Sequence, residues 1–294
     1  MVIKRSPGRI VFEILNTVLM ILLALICVIP LWHVLIASIS DPGLVELHDG
    51  IIFWPLGEPS LYAYKFILRY KNLWTGYLNT IFYVIAQCAI TGTLTVIAGY
   101  ILSRKRFRYR NVLMGFIVFT MMFNGGMIPT YMVVRNLGLL DTYGALLIPM
   151  ALMPFYIIIM RTSISRIPDS LEESARLDGA GELTILFRIV VPLSKATLAV
   201  IILFIAVAKW NEWFPALLYL PTARTKYPLQ MFLRQILITS ENITSAADVV
   251  DTSQLYKTLA KYGTIVVSTL PILCIYPFVQ KYFVTGVMIG SIKG

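Results

Sequence analysis

Long uncharged apolar runs alternate with shorter polar segments along the whole chain. They occupy residues 14–39, 76–103, 111–134, 142–160 and 263–280. An α-helix rises about 1.5 Å per residue, so a hydrocarbon core about 30 Å thick is crossed by about 20 apolar residues. A shorter run, 196–208, reaches that length if helix begins upstream of Pro192 or continues past Trp210. Pro192 then marks a kink, and Lys195 snorkels to the interface. The pattern predicts an all-α integral membrane fold with six spans, near 12–39, 76–103, 111–134, 142–160, 189–212 and 263–281. Gly92, Gly99, Gly144 and Pro149 fall inside these spans, where small or irregular residues let helices pack closely.

Composition agrees. Of 294 residues, 58% are hydrophobic and only 14% charged, with mean hydropathy +0.78. A soluble domain carries about 25% charged residues, so much of this exterior faces lipid. The basic residues near the N-terminus precede a run too long for a signal peptide, which predicts an uncleaved first span. Cys27, Cys88 and Cys274 lie in apolar stretches and read as small buried hydrophobes. His33 and His48 are isolated, with no metal-ligand spacing around them.

An even number of spans places both termini on one side. On that side, segments 1–13, 103–110, 161–195 and 281–294 carry fifteen basic and six acidic residues. The opposite segments, 40–75, 135–141 and 209–262, carry ten basic and nine acidic. Nearly all of the formal net charge of +10 therefore lies on the termini's side, which the positive-inside rule makes cytoplasmic. The cluster Arg104, Lys105, Arg106, Arg108 and Arg110 weighs most. A basic loop between two spans has this explanation without nucleic acid.

One cytoplasmic loop, 161–195, is patterned. Pro168 ends what precedes it, Asp169 or Ser170 is placed to cap a new helix, and Ser170 with Glu173 forms a capping box. Leu171, Ser174, Ala175 and Asp178 share a face at helical spacing. Gly179 stands where a left-handed C-cap is expected. A second helix, about 182–191, leads through Pro192 into the fifth span. The result is a short helix across the mouth of the bundle, with small residues that let another protein approach closely.

The same run resembles the EAA loop of bacterial ABC importer permeases: Glu-Ala-Ala, three residues, Gly, nine residues, then Ile-x-Leu-Pro. Here Glu173-Ser174-Ala175 is followed by Gly179 and by Ile189-Val190-Val191-Pro192. Ser174 and Val191 depart from the pattern, both conservatively in size. Asp178-Gly179-Ala180 is similar to the carbohydrate-uptake branch. Asn79-Thr80, Gly99-Tyr100, Ser103-Arg104 and Trp210-Asn211-Glu212-Trp213 also resemble the family, and the ending 286–294 resembles the tail of maltose-type permeases. Residues 123–131, Phe-Asn-Gly-Gly-Met-Ile-Pro-Thr-Tyr, resemble a narrower branch for complex oligosaccharides, near the permeases of alginate-type importers.

The resemblance implies a type I importer permease without a catalytic site. It implies ATPase-coupling residues Glu172, Glu173, Ser174, Ala175, Leu177, Asp178, Gly179 and Ala180. It also implies a second permease (in this branch usually a different chain), two ATPase subunits carrying ATP and Mg, and an external solute-binding protein delivering oligosaccharide. No Gly-Lys pair occurs, so the chain has no phosphate loop of its own. For Trp210, Asn211, Glu212 and Trp213 two readings stand: an aromatic belt at the outer interface, or part of the external gate and sugar path. Lys209, Arg224, Lys226, Arg234, Lys257 and Lys261 of the outer segment suit either lipid headgroups or an acidic partner or sugar. An ion-coupled secondary transporter is the alternative, but such proteins usually place ionisable residues within their spans. An intramembrane enzyme would need a catalytic constellation, and none is found.

Overall fold

The computed structural model describes residues 7–69, 71–243 and 261–274, and among them every regular element is helical. Contacts divide the chain into two units, residues 1–70 with 235–270, and residues 71–234 with 271–294.

In the first unit α1, Pro7–Ile39, is one continuous helix, and only Ile36, Ala37 and Ser38 at its end are buried. The rest of its apolar surface is bare, as a lipid-facing or partner-facing helix requires. The chain then turns into α2, Pro42–Leu47, capped by the Asp41 carboxylate, which accepts from the Gly43 and Leu44 amides. Ile36, Ala37, Val45 and Ile52 form a small core. His33 is not idle: its Nδ1 accepts from the Ile52 amide at 3.0 Å, and its ring meets Tyr262 edge-on. The unit also holds α3, Tyr62–Arg69.

The second unit is organised on α4, Lys71–Ser103, long and apolar enough to cross a membrane. It packs most extensively against α8, Pro154–Ile164, and α11, Lys195–Trp210. Gly99 explains the closeness. A Cβ there would lie 2.7 Å from Met160 Cγ and 3.1 Å from the Arg161 amide nitrogen, so only glycine lets α8 come so near. Val96, Tyr100, Met160, Ile185, Val190 and Ile201 fill the core beneath. Near the other end of α4, Asn79 donates to the carbonyls of Thr225 and Tyr227, and Tyr83 to that of Lys226. Thr80 accepts from the Leu229 amide, the first residue of α12, Leu229–Ile243.

Three predicted spans are interrupted. The stretch 111–134 is two helices, α5 (Arg110–Met122) and α6 (Met127–Asn136), bent by 115°. Asn124 closes the break by accepting from the Gly126 amide, and Gly126 sits at φ +92°. The stretch 142–160 is a short α7, Gly144–Leu147, an irregular passage to Met153, and then α8, which Pro154 opens and which runs on to Ile164. The stretch 189–212 combines α10, Glu182–Leu193, with α11 at 83°. The break falls at Ser194, two residues past the predicted kink. Pro192 supplies no amide hydrogen, and the Ser194 hydroxyl turns back to the Val190 carbonyl at 2.6 Å. Cys27 and Cys274 are exposed and Cys88 is half-buried, so the buried-hydrophobe reading fails for two of the three. Residue 257, part of the last predicted span and the ending 286–294 fall outside the described residues.

Candidate functional site

The patterned loop folds as a short helix, α9, Asp169–Leu177, followed by a turn into α10. No side chain caps its start. Pro168 occupies the N-cap position in an extended conformation, so Asp169 and Ser170 lie one and two residues inside, and the expected capping box does not form. Asp169 instead complements the helix dipole and pairs with Lys105 at 3.2 Å. The C-terminus closes as a Schellman motif: Ala180 N–H donates to Ala175 O at 2.9 Å, and Gly179 N–H to Arg176 O at 3.0 Å. Gly179 carries this turn at φ +83° with open space around it.

The helix has two faces. Inward, Glu172 is only 2% exposed and pairs with Arg104 at the end of α4. Arg104 also lies over the Tyr100 ring, 4.3 Å from its centroid. Arg176 reaches Glu182 at 3.0 Å, and Tyr100 donates to the same carboxylate at 2.7 Å. Ala175 and Ala180 are half-buried against the core. Outward, Glu173, Ser174, Asp178 and Gly179 are exposed, as is Leu177 at 89%. Of the predicted coupling residues, Glu172, Ala175 and Ala180 therefore hold the loop to the bundle, and Glu173, Ser174, Leu177, Asp178 and Gly179 are presented. Leu183, 70% exposed, and Phe187 extend the apolar outer surface onto α10.

Burial pushes the Glu172 carboxyl above the usual carboxylate range, although Arg104 and Arg176 pull it down. The desolvation cost outweighs the attraction, so this pair fixes geometry more than it adds stability. Glu182 sits below its ordinary value, held there first by the Tyr100 hydroxyl and then by Arg176.

At the far end of α11 the predicted sugar-path residues do not converge. Trp210 is buried, Asn211 donates back to the Val207 carbonyl of its own helix, and Trp213 is covered by the Arg234 guanidinium at 3.9 Å. Of the four, Glu212 lines a cavity of about 190 Å³ between α4, α8 and α11. Lys209, expected at an interface, is 5% exposed and joins it there, donating to Glu212 Oε2 and to the Leu146 carbonyl, each at 2.6 Å. Gln87, at the midpoint of α4, donates to the Met150 carbonyl at 3.0 Å and to Thr91 at 2.7 Å. The carbonyls freed where 142–160 leaves helical geometry are thus taken up by α4 and α11, as irregular backbone at membrane depth requires. Sequence reasoning passed over Gln87 and Thr91 because an uncharged residue does not interrupt an apolar run. Their polarity inside a span was the available signal.

Residues 92–284 match the family described as binding-protein-dependent transport system inner membrane component. The chain belongs to that family. It is similar to the polygalacturonan/rhamnogalacturonan transport system permease protein YtcP of Bacillus subtilis (strain 168), 40% identical over 96% of this chain and 98% of the relative. It is also similar to protein LplC of the same organism, 38% identical over 98% and 97%. Among solved structures, a bacterial ABC transporter involved in the import of the acidic polysaccharide alginate aligns with a TM-score of 0.84 and 35% identity, covering 95% of this chain and 99% of that one. The type I importer permease fold is therefore shown, and with it a non-catalytic, multi-pass membrane subunit of an ABC sugar importer. Such permeases work with a partner permease, an ATPase and a solute-binding protein. The ion-coupled alternative is not favoured.

Proposed function

We propose that this chain is half of a heterodimeric permease pair that moves acidic oligosaccharides across the cytoplasmic membrane, with both termini inside and six crossings. Two ATPase subunits, carrying ATP and Mg, grip the outward face of α9, and an external binding protein delivers the sugar. The observation that carries the coupling role is the division of α9 into a buried face held through Glu172 and an exposed face bearing Leu177. An apolar side chain that exposed, beside Gly179 and Ser174 in a turn closed by its own backbone, suits a groove on another protein.

Support for an acidic sugar comes from the relatives, whose names concern polygalacturonan and alginate. The basic residues of the outer segment support it less than their number suggests. Lys209 is spent on Glu212, Arg234 on Trp213, and Lys226 on the Asp141 carbonyl and the Tyr143 ring. Arg224 stays exposed.

The test is purification from native membranes, followed by ATPase assays across matched uronic and neutral oligosaccharides. Co-purification of an ATPase and stimulation by the uronic series are expected. Equal stimulation by both series removes the acidic substrate, and absence of any ATPase removes the docking role of α9.

A further inference from the structure

The cavity between α4, α8 and α11 is not explained by helix packing alone. Gln87 is 3% exposed, and its amide orientation is fixed. The Met150 carbonyl can only accept, so Nε2 must face it. That leaves Oε1 buried without a hydrogen-bond partner. An unsatisfied acceptor at the midpoint of a membrane-crossing helix is costly and calls for an occupant that donates.

The other polar groups narrow its chemistry. Lys209 and Glu212 neutralise one another, so the cavity holds no net charge. The ammonium uses two of its N–H groups on Leu146 and Glu212 and keeps a third, while Glu212 keeps a second oxygen able to accept. Two acceptors and one donor suit adjacent hydroxyl groups. A carboxylate would confront two oxygens and gain one hydrogen. Tyr156, Met153 and Ile205 supply an apolar wall against which the C–H face of a ring packs. The volume, about 190 Å³, lies below the roughly 300 Å³ at which pockets for larger ligands begin. It admits one ring, not a chain.

We infer that this cavity is a subsite of the translocation path that takes one sugar ring through its hydroxyl groups, with Gln87 Oε1 as the principal acceptor. The inference rests on the importer reading but not on the substrate being acidic, since the cavity addresses hydroxyl groups.

Equilibrium binding of tritiated trigalacturonate, and of its carboxyl-reduced neutral counterpart, to the purified complex of permeases and ATPases tests it, with the binding protein omitted. Gln87→Met keeps length and removes the acceptor, together with the Nε2 donor held by Met150 and Thr91. It should raise Kd about tenfold for whichever trisaccharide the wild type binds, the effect of one lost hydrogen bond. Ala208→Phe, at the exposed rim of the cavity, narrows it without touching its hydrogen bonds and should also weaken binding, while the complex still assembles and its thermal midpoint stays near that of the wild type. Unchanged Kd in either variant means the cavity holds water only and overturns the subsite. A Gln87→Met effect confined to the charged trisaccharide overturns the hydroxyl assignment. If the wild type binds only the neutral sugar and Gln87→Met weakens it, the acidic substrate falls and the subsite stands. If the wild type binds neither, the subsite falls, while the importer assignment, which rests on the family and the aligned structure, stands.

Discussion

Removing the Glu172 carboxylate should disconnect α9 from α4 without unfolding either. The Arg104 guanidinium is left in its pocket, where its side chain is 17% exposed and its Nε and Nη2 already have no hydrogen-bond partner. Breaking a buried pair from one side costs about 3–5 kcal/mol, and partial exposure places this site near about 3. At about 1.4 kcal/mol per tenfold, that is roughly a hundredfold in the equilibrium holding the loop in place. The neighbouring Lys105–Asp169 pair is exposed on both sides and offsets little, on the order of 0.5 kcal/mol. Because desolvation dominates at Glu172, replacing both partners by apolar residues should cost far less than replacing one. In proteoliposomes, Glu172→Ala should leave ATP hydrolysis measurable but cut sugar moved per ATP at least tenfold, and Arg104→Met/Glu172→Leu should restore most of it. Wild-type stoichiometry in Glu172→Ala, or a double variant as poor as the single, would refute the strut.

Further expectations follow from single features. Gly179→Val forces a β-branched residue to φ +83°, about 1–2 kcal/mol of strain with no steric clash; it should uncouple uptake while membrane insertion persists, and normal uptake counts against it. Leu177→Asp should abolish ATPase co-purification with no change in thermal midpoint, because the side chain is almost fully exposed. Asp141 accepts from the Thr222 and Ala223 amides and the Thr222 hydroxyl. Desolvation works to raise its pKa, but those bonds and Lys226 outweigh it and bring it below the ordinary value. A lowered folded pKa means the clamp is complete above the unfolded value of about 3.9 and is lost as pH falls through the folded one. The hydrogen-exchange protection factors over 220–227 should hold at pH 5 and fall only in stronger acid, and Asp141→Asn should abolish that dependence.

Hydropathy located α1 and α4 well because a helix that runs on unbroken is what a window of apolar residues measures. It failed inside 111–134, 142–160 and 189–212, where composition stays apolar whether the helix continues or breaks. The local signals were there, in Asn124-Gly125-Gly126, in Pro149 with Pro154, and in Ser194 after Pro192, but each admits a kink, a cap or a break. The loop motif was legible by spacing, and Gly179 by its turn. Which face of α9 looks inward was not. Glu172 and Glu173 are adjacent in the chain, and only the position of Arg104, more than sixty residues earlier, decides which is buried. Gln87 was legible only as a polar residue inside a span; the unpaired oxygen that gives it importance is encoded by no residue pattern.

The two-sided character of α9 separates grip from transmission. On the coupling role proposed for α9, substitutions at Glu173, Ser174, Leu177 and Asp178 can retune which ATPase the permease accepts, whereas Gly179 is held by the left-handed turn it carries. On the same proposal, changes at Glu172, Ala175 or Ala180, which hold the loop to the bundle, act on how a push reaches α4. Partner choice and mechanical stiffness are thus free to diverge on one nine-residue helix.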